Sequence, residues 1–292
     1  MLRSAGCREP RSLRALLLVS AGCTVGVPIG PTAPDPPSSE PNEPTKGWLA
    51  TQAPGAALMI VQDLSGSMSV EGASTLMPVD WARRGHLAFM NALVDRVEAP
   101  QLGIVVFAEW STSDDGARVT TFDGPKSVYA DPAPATWARL TPLGTAAGIE
   151  QLERRIATVC SPAWGCGDDP VTGTTPDLVG PSIDTIGTCT NPEVGIRHAA
   201  RELVEATEPG AFRAIVLVTD GLANCGGEGA GALEAAQMAY EQHAIQLWVV
   251  GSGAAIHADT LYALPQGIGT FTEVADVARL PAALVDLVTT PP

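Results

Sequence analysis

Clustered basic residues, base-stacking aromatics and closely paired cysteines are all scarce in this chain of 292 residues, and each scarcity closes off a class of function. Aromatic residues make up 5% of it, too few for a surface that stacks bases. Lysine and arginine number 17 against 32 aspartates and glutamates, a formal charge of −15, and nothing basic clusters in the body of the sequence. A nucleic-acid groove needs a basic stripe, so nucleic acid is not an expected partner. The acidic balance bears on solubility and on which partners are repelled at long range. The six cysteines show no paired Cys-x-x-Cys spacing, which argues against a four-cysteine zinc site.

Signatures of catalysis are missing as well. No Gly-x-Ser-x-Gly elbow surrounds Ser65 or Ser67, and no Walker A pattern is present. Gly251-Ser252-Gly253-Ala254-Ala255-Ile256 lacks the third glycine of a dinucleotide loop and comes late in the chain. Phosphatases of the haloacid-dehalogenase type need a second Asp two residues after the first, where this chain has Ser65 after Asp63. The expectation is a protein that is not an enzyme.

The N-terminus has the layout of an export signal. Arg3, Arg8, Arg11 and Arg14 precede the apolar run Ala15-Leu16-Leu17-Leu18-Val19, and Ser20-Ala21-Gly22 precede Cys23. That run is too short to span a bilayer. The Ser-Ala-Gly-Cys end resembles the lipobox of bacterial lipoproteins, although Ser20 replaces the usual aliphatic residue. The resemblance implies cleavage after residue 22, acylation of Cys23 and a place in the bacterial cell envelope, anchored to the outer membrane by lipid. Residues 23–54, dense in Pro, Ser, Gly and Thr, read as an extended spacer that cannot pack a core. Setting Cys7 and Cys23 aside leaves Cys160, Cys166, Cys189 and Cys225, an even number that suggests disulfides in an exported chain and allows three pairings. One expected pair is Cys160–Cys166, inside an irregular Gly- and Pro-rich insertion at about residues 160–187.

From residue 55 to 290, apolar runs alternate with helical patterns. The runs Ala56–Val61, Leu102–Ala108, Ala214–Thr219 and Ile245–Val250 are nearly continuous, as in strands buried on both faces. Val119–Phe122 reads as a weaker strand beside Leu102–Ala108, and Thr270–Val274 as a last one. Helical spacing covers Asp80–Val97, Ile149–Val159, Pro192–Ala206, Gly231–His243 and Val277–Val288. The order predicts an α/β fold: a Rossmann-like, doubly wound, mostly parallel sheet with helices on both faces. His86, His198 and His243 fall on helix patterns with no metal-ligand grouping and read as packing or surface residues.

The strongest chemical signal is Asp63-Leu64-Ser65-Gly66-Ser67, directly after the first strand. Ligands bind at the C-terminal ends of strands in open α/β sheets. Here that end offers one carboxylate and two hydroxyls, part of the oxygen set that a hard cation wants. Ile215-Val216-Leu217-Val218-Thr219-Asp220-Gly221 repeats the pattern, and Thr188-Cys189-Thr190-Asn191-Pro192 lies just before a helix. A purely structural alternative is that the serines cap a turn and Asp220 caps a helix, which leaves three oxygen-bearing loops unexplained.

Over roughly residues 55–290 these loops resemble the von Willebrand factor A-type domain and its metal-ion-dependent adhesion site. The resemblance implies that Asp63, Ser65, Ser67, Thr190 and Asp220 hold a divalent cation, with Mg²⁺ favoured and Mn²⁺ or Ca²⁺ as alternatives. It implies a binding module that engages an acidic side chain of a protein partner through an open position on that ion. Counting back from Gly195-Ile196 selects Thr190, with Thr188 and Thr145 as alternatives. A Cys189–Cys225 disulfide would join two of the metal-bearing loops and reduce their freedom before the ion binds. Rival expectations are a metal-dependent hydrolase and a structural envelope protein with a vestigial metal site.

Overall fold

Period-two alternation along the first strand sends its side chains into two separate cores, and the rest of the architecture follows from that division. The computed structural model describes residues 49, 55–69, 76–108, 111–112, 118–119, 136–160, 189–221, 229–253 and 258–290. The chain divides into residues 1–42 and 43–292, and all described residues lie in the second unit. The expected signal, the expected acylation site at Cys23 and nearly all of the expected spacer therefore lie outside the described residues. So do the insertion beyond Cys160 and the cysteines Cys166 and Cys225.

The elements in chain order are β1 (Ala57–Asp63), α1 (Pro78–Arg96), β2 (Gln101–Phe107), β3 (Ser111–Thr112), β4 (Arg118–Val119), β5 (Thr136–Pro142) and α2 (Ala146–Ala157). There follow α3 (Pro192–Ala206), β6 (Arg213–Thr219), α4 (Ala230–His243), β7 (Ile245–Ser252), α5 (Ala258–Ala263), β8 (Gly269–Val274) and α6 (Leu280–Thr289). All eight strands form one sheet in the order β4-β3-β2-β1-β6-β7-β8, with β5 also paired to β2. The five strands β2-β1-β6-β7-β8 run parallel. Their C-terminal ends therefore share one rim. Asp63 lies opposite Phe107 and Thr219 opposite Gly251, which brings the candidate loops to that rim.

Leu58 and Ile60 of β1 join Val216, Val218, Trp248 and Val250 on one face, where Phe89, Met90 and Leu93 of α1 and Leu284 and Val288 of α6 cover them. Ala57, Met59 and Val61 join Val105, Phe107, Leu217 and Val249 on the other, under Ile196, Ala199 and Leu203 of α3 and a row of alanines from α4. Each fully buried aliphatic side chain contributes about 1.5–3 kcal/mol of transfer free energy, so both faces drive closure of the sheet. Gly195 allows α3 to approach closely: a methyl there would stand 3.0 Å from Phe107 Cδ1. Among the described residues no helix is long and apolar enough to cross a membrane.

The structure modifies the expected elements at the margins. Beside β2 lies β5, antiparallel over Gln101–Val105, and not the Val119 segment, which is set off by β3. The run Thr136-Trp137-Ala138-Arg139-Leu140-Thr141-Pro142 mixes polar and apolar residues without a regular period and ends in proline, so it lacks the continuous apolar signal of the central strands. The last helical stretch is split into a 3₁₀ turn, Val277–Arg279, and α6. Of the histidines, His86 and His198 are buried and His243 is exposed.

Candidate metal centre

The final residue of β1, Asp63, is fully buried. Immediately after it the chain turns: Leu64 N–H donates to Phe107 C=O at 2.7 Å, and Ser65 N–H donates to Asp63 Oδ1 at 2.7 Å. A short 3₁₀ turn, Gly66–Ser69, follows, closed by Met68 N–H on Ser65 C=O at 3.1 Å. Leu64 and Met68 bury their side chains in the core on either side of Ser65. With both anchors inside, the hydroxyls of Ser65 and Ser67 face each other at 3.1 Å.

The neighbouring strand β6 brings the second carboxylate. Ser67 Oγ donates to Asp220 Oδ1 at 2.7 Å, joining residues 153 positions apart. Thr219, which the spacing argument leaves without a role, donates its hydroxyl to Asp63 Oδ2 at 2.6 Å. Both oxygens of Asp63 are therefore held. The signal for Thr219 lies in strand parity: it shares the face of β6 that carries Ile215 and Leu217, the face to which Asp63 belongs on β1.

Thr190 is buried, 2% exposed, at the entrance to α3. Asn191 N–H donates to the carbonyl of Ala108, just past the end of β2, at 2.8 Å. That bond attaches the Thr190 segment to the same rim as Asp63. Thr188 lies outside the described residues. Thr145 caps α2, its Oγ1 accepting from Gly148 N–H at 3.1 Å. It follows Pro142, which pairs with Gln101 at the start of β2, so it stands at the opposite rim and is not a member of the set.

Electrostatics make the two carboxylates costly as they stand. Burial pushes the Asp63 carboxyl up to about 7, and the charge of Asp220 pushes the same way; the bonds from Thr219 and Ser65 pull against both. Asp220 is also raised, chiefly by burial and against the pull of Ser67. Among the described residues neither carboxylate is paired with a lysine, arginine or histidine. A divalent cation bound between them would supply the missing charge. Converging on one ion, the two carboxylates and the hydroxyls of Ser65, Ser67 and Thr190 would make an all-oxygen set that suits Mg²⁺, Mn²⁺ or Ca²⁺. No group of three or more His, Cys, Asp or Glu side chains suited to a metal occurs among the described residues, so a thiolate or imidazole centre has no counterpart there.

No family model matches the sequence, and no curated protein matches it. Solved structures do match in fold. The von Willebrand factor type A protein from Catenulispora acidiphila superposes with a TM-score of 0.52 at 14% identity, covering 81% of this chain and 42% of that one. The pilus adhesin SpaC from Lactobacillus rhamnosus GG gives 0.54 at 13% identity, covering 81% and 30%. Proximal thread matrix protein 1 from the mussel byssus, with a zinc-occupied MIDAS motif, gives 0.50 at 15% identity, covering 80% and 47%. The chain thus spans less than half the length of each of these three proteins. An α/β sheet of this order, with its oxygen-bearing loops gathered on one rim, has the von Willebrand factor A-type fold.

Proposed function

We propose that this chain is an exported binding module of the bacterial cell envelope. It holds a divalent cation, Mg²⁺ by preference, through Asp63, Ser65, Ser67, Thr190 and Asp220. Through that ion it engages an acidic side chain on a protein partner. The observation that carries this reading is the Ser65–Ser67–Asp220 chain of oxygens beside the buried Asp63, with no basic group paired to either carboxylate among the described residues. Where Asp63 and Asp220 reach the ion through water, its direct protein ligands are the neutral hydroxyls of Ser65, Ser67 and Thr190, and a bound divalent ion keeps positive charge for an incoming carboxylate. Such a contact gains strength where the interface excludes water.

Two neighbours in fold add support. One is described as a pilus adhesin and another as having zinc in its MIDAS motif. A binding role accords with both, and no observation at the rim favours the hydrolase or the vestigial site. Anchorage through an acylated Cys23 and a flexible spacer suits a module that meets partners away from a surface. A Cys189–Cys225 pair would stiffen the loops on either side of the ion.

Calorimetric titration of EDTA-stripped protein with MgCl₂ tests the reading. One saturable site per chain, lost in Asp220→Ala, is the expected result. Absence of heat together with an unchanged melting temperature overturns it, because a ligand that binds only the native state raises apparent stability.

A further inference from the structure

Two helices, α3 and α4, pack on the same face of the sheet. α3 begins at Pro192, just after Thr190, and α4 begins at Ala230, beyond Asp220. Their first turns meet. A methyl built on Gly231, in the first turn of α4, would overlap the carboxylate of Glu193, in the first turn of α3. A side chain at 231 would have to displace that carboxylate, because the two would take the same space.

Glu193 is also fixed from its own helix. Arg197 Nε donates to Glu193 Oε1 at 2.8 Å, and Arg197 Nη1 reaches Met238 Sδ on α4 at 3.7 Å. The pair is shielded, with side-chain exposures of 26% and 17%, and so is less screened than an open surface pair. The residue that caps α4 is Gly229, with a φ of +90° and no side chain to provide a capping oxygen. A carboxylate lying against that uncapped first turn is electrostatically favourable.

We propose that Glu193 is a positioning residue for the metal centre: locked by Arg197 and seated on α4 at Gly231, it fixes the start of α3, and with it the adjoining Thr190, against α4. This inference rests on the cation site proposed above. One ion must be reached both by Thr190 and by the oxygens that follow β1 and β6 at coordination distance. Holding the start of α3 beforehand spares the cost of ordering Thr190 when the ion binds, which strengthens affinity. Glu193 acts on the ion only through Thr190, which is why sequence motifs give it no role.

The test is MgCl₂ titration of the EDTA-stripped full chain as wild type, Glu193→Ala, Glu193→Gln and Gly231→Ala, with melting temperatures in EDTA recorded alongside. Glu193→Ala and Gly231→Ala are expected to weaken Mg²⁺ binding about tenfold, a common size for coupling between separate sites. Glu193→Gln keeps the shape and the acceptor for Arg197, so it retains an affinity close to wild type. A purely stabilising contact would lower the melting temperature in EDTA and leave the Mg²⁺ Kd unchanged. Wild-type Kd values in both weakened variants therefore overturn the inference while leaving the cation site standing. Absence of Mg²⁺ uptake by the wild type overturns the site and the inference together. Should Glu193→Ala fail to fold, Gly231→Ala against Glu193→Gln decides the matter.

Discussion

The hydroxyl of Thr219 and the carboxylate of Asp63 join the ends of two adjacent parallel strands at 2.6 Å, with both side chains fully buried. Ser65 N–H holds the other oxygen of the same carboxylate, so Asp63 cannot rotate freely. Its aim toward the Ser65–Ser67 pair is set by Thr219 as much as by its own loop. Thr219→Val keeps the volume and the β-branch but removes the donor. Loss of a hydrogen bond to a charged group amounts to about 1.5–3 kcal/mol. We expect Mg²⁺ affinity to fall at least tenfold by calorimetry and Thr219→Ser to restore most of it. Equal affinities for the valine variant and wild type would remove Thr219 from the site.

Asp63 and Asp220 repel each other in a buried setting, and that strain is relieved by a proton on Asp63 or by a bound cation. Replacing one of them with its neutral amide should therefore help the metal-free protein and harm the loaded one. Asp63→Asn is expected to melt at a higher temperature than wild type in EDTA and to lose the rise that Mg²⁺ gives the wild type. At 100-fold excess over Kd that rise corresponds to about 2.7 kcal/mol. A variant that melts lower in EDTA would show that the carboxylate serves packing alone.

His86 gives a pH dependence of separate origin. It is fully buried on α1, and both ring nitrogens lack a hydrogen-bond partner among the described residues. Burial pulls it down to about 3 from an ordinary 6.5. The unfolded chain therefore takes up a proton below about pH 6.5 that the folded chain refuses until about pH 3. The stability linked to His86 is fully present above 6.5 and declines as pH falls through that window. Asp63, raised in the folded state, contributes in the opposite sense, so the comparison must be made between variants. Denaturant melts of wild type and His86→Leu at pH 7 and pH 4.5 isolate the histidine: the leucine variant should lose less stability on acidification. Parallel losses would place the acid sensitivity elsewhere.

The parts of this molecule legible from sequence are those in which one local signal carries the whole meaning. Continuous apolar runs mark β1, β2, β6 and β7, because strands covered on both faces have no polar side to interrupt them. Asp63, Ser65 and Ser67 sit within five residues, and the turn that brings them together is local. β5 escaped because its Arg139 is exposed while Ala138 and Thr141 are buried, a pattern shared with many loops. Thr219 and Glu193 escaped for a different reason. Their partners, Asp63 and Gly231, come from other elements, and only the parallel register and the α3–α4 packing show which residues meet. Thr145 imitated the motif by its neighbours in sequence, and the antiparallel direction of β5 removes it to the wrong rim.

Met68 offers a last prediction, linking core packing to the rim. Its side chain is fully buried, while Ser67, one residue earlier, is exposed and donates to Asp220. The core therefore anchors the turn that presents the hydroxyls. Truncating a buried methionine to alanine costs about 2–5 kcal/mol, through lost transfer energy and the cavity left behind. Met68→Ala should lose that stability and also weaken Mg²⁺ binding, because the turn loses its anchor. Leu152→Ala, a comparable truncation in α2, which follows β5 at the opposite rim, should lower stability by a similar amount and leave Mg²⁺ affinity as in wild type. Met68→Leu, which conserves volume, should change stability by less than about 1.5 kcal/mol and keep the ion. If Met68→Ala and Leu152→Ala shift affinity equally, the ion senses global stability only, and the turn is not held from below.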